Sequence, residues 1–162
     1  MYDNIGEHHL NIKTEQAAAF RILIEALKEI LTEANFIFDE TGIKLMAMDS
    51  TRSILIHMKL DSENFEFFHC PNKIVVGVNM LNFFKLIKTM SNSETLTLFV
   101  EKNNENKLGI LINNSEKNSQ TVYKLNLLDI IDENIKIPPA EFETELCLPS
   151  GDFQKIIRDM VN

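Results

Sequence analysis

The sequence predicts an α+β fold, a mostly antiparallel sheet with helices on one face. Three observations predict it. Short segments of alternating apolar and polar residues recur along most of the 162 residues, the pattern of half-buried strands. Three other segments carry an apolar stripe at i, i+3, i+4 and i+7, the pattern of a helix lying on a sheet. Those three segments resemble one another: FRILIEAL at 20–27, FFKLIKTM at 83–90 and FQKIIRDM at 153–160. Their starts lie 63 (83 minus 20) and 70 (153 minus 83) residues apart, consistent with a duplicated supersecondary unit.

LNIKT (10–14) reads as a short strand. EQAAAFRILIEALKEI (15–30) follows as a helix, rich in Ala, Leu, Glu and Lys and without Gly or Pro. NFIFD (35–39) and GIKLMAMD (42–49) flank a tight polar turn and form a hairpin. SILIHMKL (53–60) puts Ile54, Ile56, Met58 and Leu60 on one face. ENFEFFHC (63–70) and KIVVGV (73–78) are strands separated by the turn former Pro71-Asn72. NMLNFFKLIKTM (79–90) is the second helix. ETLTLFVEK (94–102), KLGILIN (107–113) and QTVYKLNLL (120–128) are strands joined by the polar loops NNEN and NSEKNS. EFETELCL (141–148) is a last strand, with Phe142, Leu146 and Leu148 inward and Glu141, Glu143, Glu145 and Cys147 outward. Pro149 ends it, and Ser150 caps the third helix.

One segment breaks the pattern. DIIDENIKIPPAE (129–141) alternates poorly, and its Pro138-Pro139 pair removes two backbone donors and favours an extended chain. It reads as a linker on the surface, yet Ile130, Ile131, Ile135 and Ile137 need something to pack on. Either it is an edge strand packed for stability, or it walls a groove that receives a partner's apolar side chains.

Composition narrows the function. The chain is 44% hydrophobic and 25% charged, ordinary for a globular domain. A chain of this length buries roughly two-thirds of its unfolded surface. No apolar run approaches the ~20 residues of a transmembrane helix, and MYDNIGEHHL lacks the features of a signal peptide. An intracellular protein with no membrane partner is expected. Cys70 and Cys147 have no C-x-x-C spacing and are expected to fill space in strands.

Net charge is −8 and the pI about 5.0, a balance that argues against nucleic acid unless basic residues share one face. Helical spacing puts Lys85 and Lys88 opposite the stripe of Phe83, Leu86, Ile87 and Met90. Lys155 and Arg158 likewise lie opposite Phe153, Ile156, Ile157 and Met160. The first helix is looser: Phe20, Leu23, Ile24 and Leu27 face the core, Arg21 and Lys28 sit on a flank, and Glu25 shares the outer face. An outward lysine is ordinarily just solvated. Three similar helices in so acidic a chain point to one face meant for a polyanion.

These residues carry a resemblance. EALKEILTEANF (25–36), TGIKLMAMDS (41–50), VGVN (76–79), NFFKLIK (82–88) and IPPAEFETELCLPSGDFQKIIRDM (137–160) resemble the proliferating cell nuclear antigen (PCNA) family of sliding DNA clamps. The likeness runs from about Leu10 to the end, and MDS, PSG-x-F and [IL]-x-RD are fairly specific together. The divergence is that of a viral, protist or otherwise distant member. The resemblance implies a DNA clamp fold of duplicated βαβββ units, antiparallel sheets outside and helices lining a DNA hole. On it, 1–128 is a first clamp domain, 129–141 the interdomain connecting loop, and 142–162 the truncated start of a second domain.

The resemblance also implies the function: a ring around duplex DNA that tethers polymerases and other replication and repair proteins. Arg21, Lys28, Lys85, Lys88, Lys155 and Arg158 match the DNA-facing positions, where they contact phosphate without reading bases. Ile22 stands where the family commonly has a second basic residue. A partner-peptide groove is implied at Met48, Arg52 and Leu55 on the body and Ile135, Ile137 and Pro138 on the loop. It takes a tail of the pattern Q-x-x-aliphatic-x-x-aromatic-aromatic. Implied partners are DNA polymerase, other proteins bearing that motif, and a clamp loader. Localisation is the nucleus, or a viral replication compartment. The full-length protein is expected as a homotrimer. Its first-domain edge lies near Ser119–Lys124, and a chain ending here is not expected to close the ring.

Two alternatives share the fold: a subunit of a heterotrimeric checkpoint-type clamp, and a clamp-like scaffold that does not encircle DNA. An enzyme is not expected. His8 and His9 lie in what reads as a polar tail, and His57 and His69 lack a metal-ligand spacing. Asp49-Ser50 lacks the glycines of a nucleophile elbow, and 5 Gly supply no phosphate-cradling loop. No catalytic residue, metal or cofactor is expected.

Overall fold

The computed structural model describes residues 5–131, 135 and 141–161. The chain runs β1 (His8–Thr14), α1 (Ala17–Ile30), β2 (Glu33–Asp39), β3 (Gly42–Met48), β4 (Leu55–Asp61) and a short β5 (Phe67–His69). It continues as β6 (Ile74–Asn79), α2 (Met80–Ile87), β7 (Glu94–Glu101), β8 (Lys107–Asn114), β9 (Ser119–Asn126) and α3 (Ser150–Met160). Two βαβββ units are therefore present, β1 to β4 and β6 to β9, with β5 between them.

The units interlock. One antiparallel sheet has the order β5-β1-β7-β8-β9 and the other β4-β3-β2-β6. Each sheet thus takes its first strand from one unit and three from the other. Neither unit can bury its apolar face without its sister, so the pair folds as one domain.

The helices repeat the relation. Phe20, Ile24 and Leu27 of α1 and Phe83, Ile87 and Met90 of the α2 segment are all buried. The predicted stripe is thus the stripe that packs. Phe83 sits centrally, edge-on to Phe20 and to Phe36, each 6.3 Å away between ring centres. Full burial of one such side chain stabilises by about 1.5–3 kcal/mol. α1 packs on β7, and α2 on β6 and β9, so the helix pair spans both sheets. The Asn79 side chain accepts from the Asn82 N–H at 3.0 Å and starts α2.

Several expectations need correction. His8 and His9 belong to β1, not to a tail: His8 is buried with its ring 5.4 Å from Phe99, and His9 Nε2 lies 2.7 Å from Glu105. β7 reaches far enough to pair Glu101 with His8, and the register shifts across His9. Residues 62–64 form a 3-10 turn and shorten β5. Residues 141–148 are not a strand, because no strand among the described residues pairs with them and an unpaired strand's N–H and C=O groups stay solvated. Cys147 is accordingly exposed, whereas Cys70 is buried and desolvation pushes its thiol to about 11. α3 begins at Ser150 with Pro149 before it and no side-chain cap. Its stripe of Phe153, Ile156, Ile157 and Met160 is exposed rather than packed into the core.

Candidate nucleic-acid interface and partner groove

The six basic positions are not alike. Lys85 on α2 and Lys88 at its C-cap are exposed, and neither side chain has a hydrogen bond or ion pair among the described residues. Lys28 is engaged. Its ammonium lies 4.8 Å from the Phe84 ring centre and pairs with Glu29, leaving the side chain 16% exposed. Arg21 lies 3.6 Å from Glu25 one turn on, and its Nε is buried with no partner. Each cation on α1 thus meets an acid of the same helix.

The duplication explains the difference. With the 63-residue offset, Lys85 corresponds to Ile22 and Lys88 to Glu25. Where α2 presents two cations, α1 presents an exposed isoleucine and a carboxylate. Lys155 and Arg158 project from α3, where Arg158 Nε donates to the Gln154 carbonyl at 3.3 Å. No residue of α3 is buried.

A groove of about 360 Å³ opens on the outer face of the β4-β3-β2-β6 sheet. Met46, Met48 and Arg52 line one side, and Ile130, Ile131 and Ile135 of the connecting segment the other. Of the residues expected there, Met48, Arg52 and Ile135 come together. Leu55 pairs with Met48 across β3 and β4 but does not line the groove. Ile137 and Pro138 lie outside the described residues. Met46 was not anticipated as lining, though it shares the outward face of β3 with Met48, a period-2 signal present in the sequence; Ile130 and Ile131 belong to the segment whose isoleucines called for a packing surface or a groove wall.

The β3–β4 turn sets the groove's mouth. The Asp49 carboxylate accepts from the Thr51 hydroxyl and from the N–H groups of Ile54, Ser53 and Thr51 at 2.7, 2.8 and 3.1 Å. The Thr51 hydroxyl, then those N–H donors, hold its pKa down at about 2. This network supports Arg52 at φ 58°, a backbone region non-glycine residues seldom adopt.

The third feature is an edge. β9 closes one end of its sheet, with no strand beyond it among the described residues, and it contains the predicted edge near Ser119–Lys124. Among the described residues no three His, Cys, Asp or Glu side chains gather as a metal site.

A family model described as "Proliferating cell nuclear antigen, N-terminal domain" matches residues 9–135. The chain is 37% identical over 158 residues to "Probable DNA polymerase sliding clamp 1" of Paramecium bursaria Chlorella virus 1, covering 98% of this chain and 59% of that protein. It is 31% identical over 152 residues to "Proliferating cell nuclear antigen" of Chaetomium thermophilum, covering 94% and 58%. It is 30% identical over 151 residues to the protein of that name from Saccharomyces cerevisiae, covering 93% and 58%. The chain thus spans less than two-thirds of the length of these curated relatives.

Proposed function

The chain belongs to the proliferating cell nuclear antigen family, and from that premise we propose that it acts in a sliding clamp, a ring that encircles duplex DNA and tethers polymerases. The observation that carries this is the unanswered pair Lys85 and Lys88, exposed on a helix whose other side is buried, in a chain of net charge −8. Cations on flexible stems attract phosphates without fixing register, so the ring tracks the backbone and slides. Retention comes from topology, and tight binding is not needed. Arg21 and Lys28 contribute less, being engaged within α1 and by Phe84. Lys155 and Arg158 continue the strip on α3.

On this reading 1–128 is one clamp domain, 129–141 the connecting loop, and 142–162 the opening of a second. The groove receives the tail of a polymerase or other replication protein, its aliphatic residue against Met48 and Ile135. Leu55 sits just outside the groove. β9 pairs with an edge strand of a neighbouring subunit, and three subunits close the ring. A loader opens the ring using its own ATP chemistry, so the clamp performs no catalysis. The site of action is the nucleus or a viral replication compartment.

Primer extension on a long single-stranded circle, with polymerase, loader and the complete gene product carrying these residues, tests the reading. Lys85→Glu with Lys88→Glu is expected to shorten the products. Product lengths equal to those of the unaltered protein would refute the basic strip.

A further inference from the structure

The stretch that leads into the connecting segment, Leu128 to Ile130, does not lie on the body by apolar contact alone. At Leu128 its N–H donates to the Gly77 carbonyl at 2.8 Å, an isolated antiparallel bridge to β6. A Cβ placed on Gly77 would stand 2.2 Å from the Leu128 carbonyl oxygen and 2.9 Å from Asn35 Oδ1. No backbone oxygen tolerates a carbon at 2.2 Å, so the segment fits here only because residue 77 has no side chain. Asn35 sits opposite Gly77 in the β2–β6 register. Its Nδ2 donates to the Ile130 carbonyl at 3.0 Å. A missing side chain and an amide, side by side, thus receive two carbonyls of one segment.

We infer that Gly77 and Asn35 form a seat that fixes the connecting segment and thereby sets the groove for a partner's peptide. This rests on the groove being the partner site proposed above. Both are positioning residues: Asn35 also borders the groove, but its amide is spent on the segment. Ile130, Ile131 and Ile135 can wall the groove only while the backbone at 128 and 130 is held. A segment already in place loses less conformational freedom when a peptide binds, so the seat strengthens binding by preorganisation.

Two variants of the chain test this, Gly77→Ala and Asn35→Asp. The second keeps the size of the side chain and removes the donor, so it remains informative if the first folds poorly. One readout is amide hydrogen exchange at Leu128 against that at Phe36 and Leu45 in the sheet. The other is calorimetric titration with a synthetic peptide of the pattern Q-x-x-aliphatic-x-x-aromatic-aromatic. Leu128 is expected to exchange faster in both variants with Phe36 and Leu45 unchanged, and the peptide to bind about tenfold more weakly. Unchanged exchange at Leu128, or unchanged affinity beside faster exchange, overturns the seat while leaving the groove as the partner site. A peptide that fails to bind the unaltered chain overturns the groove reading itself.

Discussion

Replacing Lys85 and Lys88 by alanine removes the two cations of the helix face that nothing else in the described structure engages. Each phosphate neutralised by a protein cation contributes about 0.9 to the slope of log affinity against log salt on duplex DNA. If both lysines meet phosphate, the double variant loses about 1.8 from that slope. Between about 50 and 200 mM salt, the fall in affinity is then about tenfold smaller than for the unaltered protein. Lys28→Ala is the internal control. Its ammonium is already placed over Phe84 and beside Glu29, and a cation–π contact is worth about 0.5–1 kcal/mol or more. Leaving it for phosphate gains little, so the slope is expected to change by less than about 0.3. Fluorescence anisotropy with a labelled duplex across that salt range reads all three proteins. A double variant with an unchanged slope, or a Lys28→Ala slope reduced by about 0.9, as for one full phosphate contact, would show the assignment to be wrong.

Two further outcomes are expected. Gly109→Ala places a Cβ 2.2 Å from Phe99 Cζ, and Phe99 is buried with His8 against its ring, so overpacking is expected to cost about 1–3 kcal/mol in urea unfolding; an unchanged midpoint contradicts it. The carboxyls of Asp39, Asp49 and Glu94 are all held below their ordinary range, by Lys44, by Thr51 and by the Ser91 N–H in turn. A lowered folded pKa stabilises above the unfolded value and is lost as pH falls through the folded one. Stability is therefore expected to hold from neutrality to about pH 4 and to fall toward pH 2, less steeply in Asp49→Asn; a parallel fall in that variant contradicts the Asp49 network.

Much of the domain was legible because its signals are local. The stripes of α1 and α2 predicted which side chains are buried, since a helix on a sheet can bury only one face. The hairpin of β2 and β3 was legible from its alternation and turn. What was not legible depends on residues far apart in the chain. His8 and His9 read as a polar tail because nothing nearby reveals that β7 and Phe99 cover them. EFETELCL alternates as well as any true strand, but alternation does not supply a partner, and among the described residues it has none. The basic residues were found from their spacing, yet spacing cannot tell an exposed Lys85 from a Lys28 held by an aromatic ring 56 positions away (84 minus 28). The groove was partly legible at Met48, Arg52 and Ile135. Gly77 and Asn35 were not, because an empty Cβ position has meaning only once Leu128 lies against it.

Retention by encirclement depends on the topology of the DNA. The complete gene product, labelled and loaded by a clamp loader onto a nicked circular duplex, is passed through a sizing column in high salt. Salt screens phosphate contacts but cannot open a closed ring. The clamp is expected to travel with the circle and to be lost when a single cut makes the DNA linear. Equal retention on circular and linear DNA, or loss from both, would contradict it.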